Sequence, residues 1–156
     1  MKKTIDVANV LLQNSKSEIL LLQRSPKLKR GFIWGMPGGM IDSGETAIEA
    51  ATRELAEETG IIEAELSITG ILKFLISMPD ENIRISNIKA SLVDGDASIK
   101  LDPDEHIAYK WSSESEIYAS HNLLPCLPTM VSESLGSEID QDNTVTPGTI
   151  ITVIRT

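Results

Sequence analysis

Cysteine occurs once in the 156 residues, at Cys126, which excludes an internal disulfide framework and a cysteine-based zinc site. A lone thiol of this kind reads as reduced and partly buried, as in a cytoplasmic protein. The two histidines, His106 and His121, lie at non-repeating positions that suggest surface or hydrogen-bonded side chains rather than ligands. No apolar run approaches the roughly 20 residues needed to span a bilayer. Met1-Lys2-Lys3 is followed by Thr4, Ile5 and Asp6, and the aspartate interrupts any signal-peptide core. The expectation is a cytoplasmic protein with no membrane partner. Basic residues are scarce, 14 against 23 acidic, for a net charge of −9. Such a surface repels nucleic-acid polymers. It leaves room for small phosphorylated substrates, because a metal ion and a few cations can reverse the sign of one pocket.

What is present is ordinary globular material, 41% hydrophobic and 24% charged. The length suits a single domain over residues 1–156 with a core of its own. Residues 5–13 and 18–23 read as neighbouring strands with a turn at 14–17. Residues 25–35 read as a polar loop leading to Met36-Pro37-Gly38-Gly39-Met40, where two glycines permit backbone shapes closed to other residues. A helix is expected from Glu45 or Thr46 to Gly60, with Ala47, Ile48, Ala51 and Leu55 as its apolar stripe. Two long strands, 64–78 and 83–93, are joined by a turn at 79–82. A strand at 106–111, a short helix at 113–119, a second main helix at 122–135 and a last strand at 149–156 complete the chain. This order predicts a mixed α/β or α+β architecture with a sheet between helices.

Chemistry concentrates in residues 39–61, GMIDSGETAIEAATRELAEETGI. On the helix, Glu54, Glu57 and Glu58 stand at i, i+3 and i+4, so three carboxylates crowd one face. Like charges this close raise the pKa of at least one of them unless a cation intervenes, and hard oxygen ligands suit Mg²⁺ or Mn²⁺. A solvated Glu-rich face with Arg53–Glu57 pairing would explain the carboxylates alone. It does not explain Gly39, Glu45, Arg53, Leu55, Gly60 and Ile61 at fixed offsets. At residue frequencies of about 5–7%, that coincidence is on the order of one in ten million or rarer.

The segment resembles, at every defined position, the signature of the Nudix hydrolases: Gly, five residues, Glu, seven residues, Arg-Glu-aliphatic-any-Glu-Glu-any-Gly-aliphatic. Trp34-Gly35-Met36-Pro37-Gly38 before it is similar to the usual approach to that box. The resemblance implies an α/β/α sandwich with a mixed central sheet over the whole chain. It also implies metal-dependent hydrolysis of a nucleoside diphosphate linked to another moiety. Glu57 and Glu58 then correspond to the central metal ligands, and Glu54 to a ligand or general base. Arg53 orients the carboxylates. Glu45 supports the site from behind, and the Gly39 carbonyl is a further candidate ligand. Several members add a glutamate six residues before a tryptophan; Glu105 stands six before Trp111 and is expected as an extra ligand or the base. Asp102 and Asp104 compete with it.

Substrate selection is less legible. Arg24 resembles an arginine that contacts phosphate in MutT-like members, and Lys27, Lys29 and Arg30 could add positive potential. Asn122 is similar in placement to an asparagine that reads a purine edge, although a helix N-cap would serve equally. Trp34 and Phe32 could stack on a base or brace the glycine loop. The leading expectation is a MutT-like (d)NTP pyrophosphohydrolase using Mg²⁺, with Mn²⁺ as an alternative, releasing the monophosphate and pyrophosphate. ADP-ribose or a nucleotide-sugar is the alternative substrate, and a non-catalytic nucleotide sensor the alternative class. Isomerisation of an isoprenoid diphosphate would need a reactive cysteine, and Cys126 has no motif around it. The apolar last strand is a candidate homodimer surface.

Overall fold

The structure, a computed structural model, describes residues 2–155. Strand β1 (Lys3–Gln13) shows why a sheet lies between helices. Its side chains alternate: Val7 and Leu11 pack into one apolar cluster, Ala8, Val10 and Leu12 into another. Both faces of the strand are therefore covered. The second cluster rests against helix α1 (Ala47–Thr59) through Ala50, Ala51 and Leu55. The first rests against the short helix α2 (Glu114–Tyr118) and helix α3 (Leu127–Leu135). This is the expected α/β/α sandwich.

The remaining strands are β2 (Ile19–Arg24), β3 (Trp34–Gly35), β4 (Gly38–Met40), β5 (Leu66–Ser77), β6 (Glu81–Leu92), β7 (His106–Ser112) and β8 (Ile150–Ile154). They form one sheet in the order β3-β2-β1-β6-β5-β8, with β4 on β1 and β7 on β2. β1 runs parallel to β6 from Lys3↔Glu81 to Gln13↔Ser91, while the other pairings are antiparallel. The sheet is thus mixed. β1 and β2 meet at Gln13↔Ile19, and residues 36–40 fill the opening between them: the Val10 N–H donates to the Pro37 carbonyl at 2.9 Å, and β4 pairs with Val7–Asn9.

Helix α1 has the boundaries its sequence suggests. The Thr46 hydroxyl accepts from the Glu49 N–H at 3.1 Å, and Gly60 ends the helix at φ 78°. The second main helix is shorter than expected. It starts at Leu127 rather than Asn122, because Asn122 (φ 57°) and Cys126 (φ 71°) are both left-handed. Asn122 is therefore no N-cap; its carbonyl accepts from the Trp34 N–H at 2.7 Å, inside a parallel bridge between Trp34 and Leu123. Pro128 takes the second position of α3, where its missing N–H costs nothing. The last strand is described as far as Ile154, and Thr156 lies outside the described residues.

Candidate active site

The glycines at 38 and 39 are required by space rather than by backbone angle. Neither has positive φ. A Cβ on Gly38 would collide with the Ala8 carbonyl and the Asn9 side chain, and would lie 2.8 Å from Asn9 Cα. One on Gly39 would lie 2.5 Å from the Glu54 carboxylate. The loop is thereby pressed onto β1 on one side and onto the acidic face of α1 on the other.

That face does not present three equivalent carboxylates, as the helical spacing alone suggests. Glu58 is buried, 5% exposed, and its Oε1 accepts from the Gly38 N–H at 2.8 Å. Burial pushes its pKa up to about 8; the Gly38 N–H opposes this, and the nearby Glu54 and Glu105 charges add to it. Glu54 is also raised, first by burial, while its bond with Arg53 pulls the other way. Glu57 stands outermost, with 57% of its side chain exposed.

Arg53 ties these groups together. Its Nε donates to Glu45 Oε2 at 2.8 Å and its Nη2 to Glu45 Oε1 at 3.0 Å, a bidentate fork. Nη1 donates to Glu54 Oε1 at 3.0 Å and reaches Glu57 at 3.3 Å, and Nη2 also reaches the Met40 carbonyl at 3.2 Å. Glu45 in turn accepts from the Asp42 N–H at 2.8 Å. The Arg53 bonds, then the Asp42 N–H, hold the Glu45 carboxyl below its ordinary pKa. Helix and loop are locked in one register by a single guanidinium.

The turn before β7 completes the cluster. Ligand atoms of Glu58, Glu105 and His106 all lie within 4.8 Å of one another. Asp102 and Asp104 instead build the turn. The Asp102 carbonyl accepts from the N–H groups of Glu105 and His106, its carboxylate accepts from the Asp104 N–H, and Asp104 pairs with Lys27 at 2.7 Å on the surface.

His106 is the residue whose place the sequence conceals. It is 7% exposed, and its Nδ1 has no hydrogen-bond partner among the described residues. Glu58 Oε2 lies 3.6 Å from that nitrogen, too far for a hydrogen bond. Burial, then the Arg24 charge, holds the imidazole below its ordinary pKa. With Glu58 raised and His106 lowered, both are neutral at pH 7 in the absence of a cation, so the two form no ion pair. A buried carboxyl biased towards its acid form beside an unsatisfied nitrogen and two more carboxylates fits a divalent cation, which would restore the anionic form and use the vacant donors. The signal in the sequence was adjacency to Glu105; the outward turn of Ile107 and Tyr109 reverses the usual hydrophobic alternation and hides the inward face.

Arg24 ends β2 opposite His106 and lines the cleft with Asn9, Gly38, Gly39 and Glu58. A second cavity of about 350 Å³ shares Val7, Asn9 and Leu124 with this cleft and is mostly apolar. Two expected substrate residues line neither space. The Trp34 ring packs on the core with Lys110 Nζ 4.2 Å from its centre, and Asn122 serves the backbone bridge described above. Cys126 lines the second cavity, but burial pushes its thiol up to about 11, so it is no ready nucleophile.

Comparison with known proteins identifies the family and the fold. The family model described as NUDIX domain matches residues 3–131. The chain is 31% identical over 83 residues to the 8-oxo-dGTP diphosphatase of Escherichia coli, covering 53% of this chain and 63% of that one. It is 35% identical over 102 residues to the asymmetrical bis(5'-nucleosyl)-tetraphosphatase of Mus musculus, covering 64% and 67%. The crystal structure of a MutT protein from Methanosarcina mazei superposes with a TM-score of 0.72 at 28% identity, over 86% of this chain and 94% of that one. The matches to two other curated relatives span only 33% and 30% of those proteins' length. With the family model covering residues 3–131 and the sandwich shared with a solved structure at 28% identity, the chain belongs to the Nudix family.

Proposed function

We propose that this chain, acting as one domain, is a divalent-metal-dependent pyrophosphohydrolase of MutT type that cleaves a (d)NTP to the monophosphate and pyrophosphate. The observation that carries it is Glu58: buried, raised in pKa and set among Glu54, Glu105 and His106, it is a carboxylate that only a bound cation makes comfortable.

Glu57 and Glu58, with the Gly39 carbonyl, would hold the ion, Mg²⁺ or in its place Mn²⁺, beside Glu105 and His106. When bound, it neutralises phosphate oxygens and lowers the pKa of the attacking water. The chain's own groups supply the rest. Arg53 fixes Glu54 and Glu57 against the glycine loop, and Glu45 fixes Arg53. Arg24, on the cleft wall, faces the phosphates. As the water oxygen bonds to phosphorus and the anhydride P–O bond breaks, a carboxylate takes the water proton. Glu54 is committed to Arg53, whereas Glu105 sits exposed on its turn, so Glu105 is the better base. The adjoining apolar cavity receives the nucleoside.

A non-catalytic sensor is disfavoured by the complete set of carboxylates, since losing one is the simplest route to a binding-only protein. The test is a panel of (d)NTPs, 8-oxo-dGTP, dinucleoside polyphosphates, ADP-ribose and nucleotide-sugars with Mg²⁺, read by phosphate release and product masses. Turnover of at least one (d)NTP to monophosphate and pyrophosphate is expected. ADP-ribose or a nucleotide-sugar cleaved far better than every (d)NTP would refute the MutT-type preference.

A further inference from the structure

The family match ends at residue 131, yet the chain folds back afterwards onto the cavity beside the carboxylates. Three features fix that return. Asp142 accepts from the N–H and hydroxyl of Thr129 in the first turn of α3, at 3.1 and 2.6 Å, and from the N–H and hydroxyl of Thr144, at 2.9 and 2.5 Å. The Thr144 hydroxyl also accepts from the Cys126 N–H at 2.8 Å, and Val145 packs on the core. Finally β8 adds to the edge of β5, from Ser77↔Ile150 to Lys73↔Ile154. Between these anchors lies Thr146-Pro147-Gly148-Thr149. Pro147 presets its own φ, Gly148 has φ 85°, and the Thr149 N–H closes on the Thr146 carbonyl at 3.2 Å, the pattern of a type II turn. The two threonine hydroxyls lie 3.1 Å apart.

Thr146 and Thr149 line the cavity together with Ile83, Ile85 and Met130, and that cavity shares Val7, Asn9 and Leu124 with the cleft beside Glu58. We infer that this anchored turn is the specificity wall of the substrate's nucleoside site, its paired hydroxyls meeting the polar edge of a base whose faces rest on the apolar walls. The inference rests on the pyrophosphohydrolase reading of the neighbouring cleft. A wall pinned at both ends rejects poorly shaped groups because it cannot swing aside, and its hydroxyls penalise a base edge that leaves them unpaired. Asp142 is a positioning residue: it touches no substrate and holds the turn in place.

The probes are the four dNTPs and methyl triphosphate, which carries the same triphosphate without a nucleoside. Thr146 is exposed, so Thr146→Phe fills the cavity mouth without entering the core. For this variant the dNTP KM should rise at least tenfold, with kcat within threefold and methyl triphosphate kinetics unchanged. The Thr146→Ala/Thr149→Ala double variant should shift relative kcat/KM among the four bases at least fivefold. Asp142→Ala should raise the dNTP KM with kcat retained, and again spare methyl triphosphate. A dNTP KM within twofold of wild type for Thr146→Phe, or an equal rise for methyl triphosphate, overturns the inference. If the wild type cleaves nothing, the hydrolase reading fails. The wall is then judged by equilibrium binding of α,β-methylene dNTP analogues: tenfold weaker binding to Thr146→Phe supports it, and no binding to wild type or equal binding to both overturns it.

Discussion

Replacing Glu58 by glutamine should make the metal-free protein more stable at pH 8, although it removes a group at the centre of the proposed metal site. The Glu58 carboxyl ionises near 4.5 in the unfolded chain and near 8 when buried in the fold. Below the first value both states hold the proton, and the residue's contribution to folding is fully present. Between the two, the unfolded chain releases a proton that the folded one retains, so stability falls by about 1.4 kcal/mol per pH unit. Over the whole interval the loss is on the order of 5 kcal/mol, an upper limit that local water entry reduces to a few kcal/mol. Glutamine keeps an oxygen for the Gly38 N–H and brings an N–H towards His106 Nδ1, with no charge to bury. Urea unfolding in EDTA from pH 5 to 8.5 measures the effect. The wild-type free energy should fall relative to Glu58→Gln as pH rises, and excess Mg²⁺ at pH 8 should restore the wild type alone. His106, lowered in the fold, acts in the opposite direction: its contribution is lost as pH drops below its unfolded value of 6.5, in both proteins. Parallel wild-type and Glu58→Gln curves across pH 5–8.5 would mean that Glu58 is not raised in the folded, metal-free protein.

Three further outcomes are expected. Arg53→Lys cannot reproduce the fork on Glu45 together with the bonds to Glu54 and Glu57, so activity and Mn²⁺ affinity, read by electron paramagnetic resonance, should fall about 10–100-fold with helicity retained. Gly39→Ala puts a methyl group 2.5 Å from the Glu54 carboxylate and should weaken Mn²⁺ binding, whereas Gly38→Ala strikes the backbone of β1 and should mainly destabilise, by about 1–3 kcal/mol in thermal or chemical unfolding. Glu105→Gln should lower kcat by about 10²–10⁴, while Asp104→Asn, on a surface pair with Lys27, should change it less than threefold; equal losses would exchange their roles.

Much of the fold could be read in advance because its signals are local. Thr46 and Gly60 mark the ends of α1 by their chemistry, and the long β5–β6 hairpin follows from two β-rich runs around a Pro-Asp turn. The parallel pairing of β1 with β6 joins residues about 80 positions apart and has no local signature. Helix α3 is shorter than the 122–135 its sequence suggests because nothing in the sequence marks Cys126 as left-handed; tertiary bonds, with Thr144 on its N–H, hold it there. At the site, spacing identified the carboxylates and the arginine but could not rank them. Burial does that, separating an inner Glu58 from an outer Glu57, and burial is a property of the packed chain. For the same reason the sequence suggests a surface or hydrogen-bonded His106, whereas the register of β7 on β2 turns it inward with its Nδ1 unpartnered among the described residues.

If these carboxylates and a divalent ion cut a phosphoanhydride bond, one water oxygen must end in the products. Mass spectrometry of products formed from the best (d)NTP in ¹⁸O-water tests it most directly, with and without Mg²⁺, for the wild type and the Glu57→Gln/Glu58→Gln double variant. One ¹⁸O in the products, formed by the wild type only when metal is present and by the double variant not at all, is the predicted result. Turnover by the double variant at the wild-type rate, or by the wild type in EDTA, would contradict it.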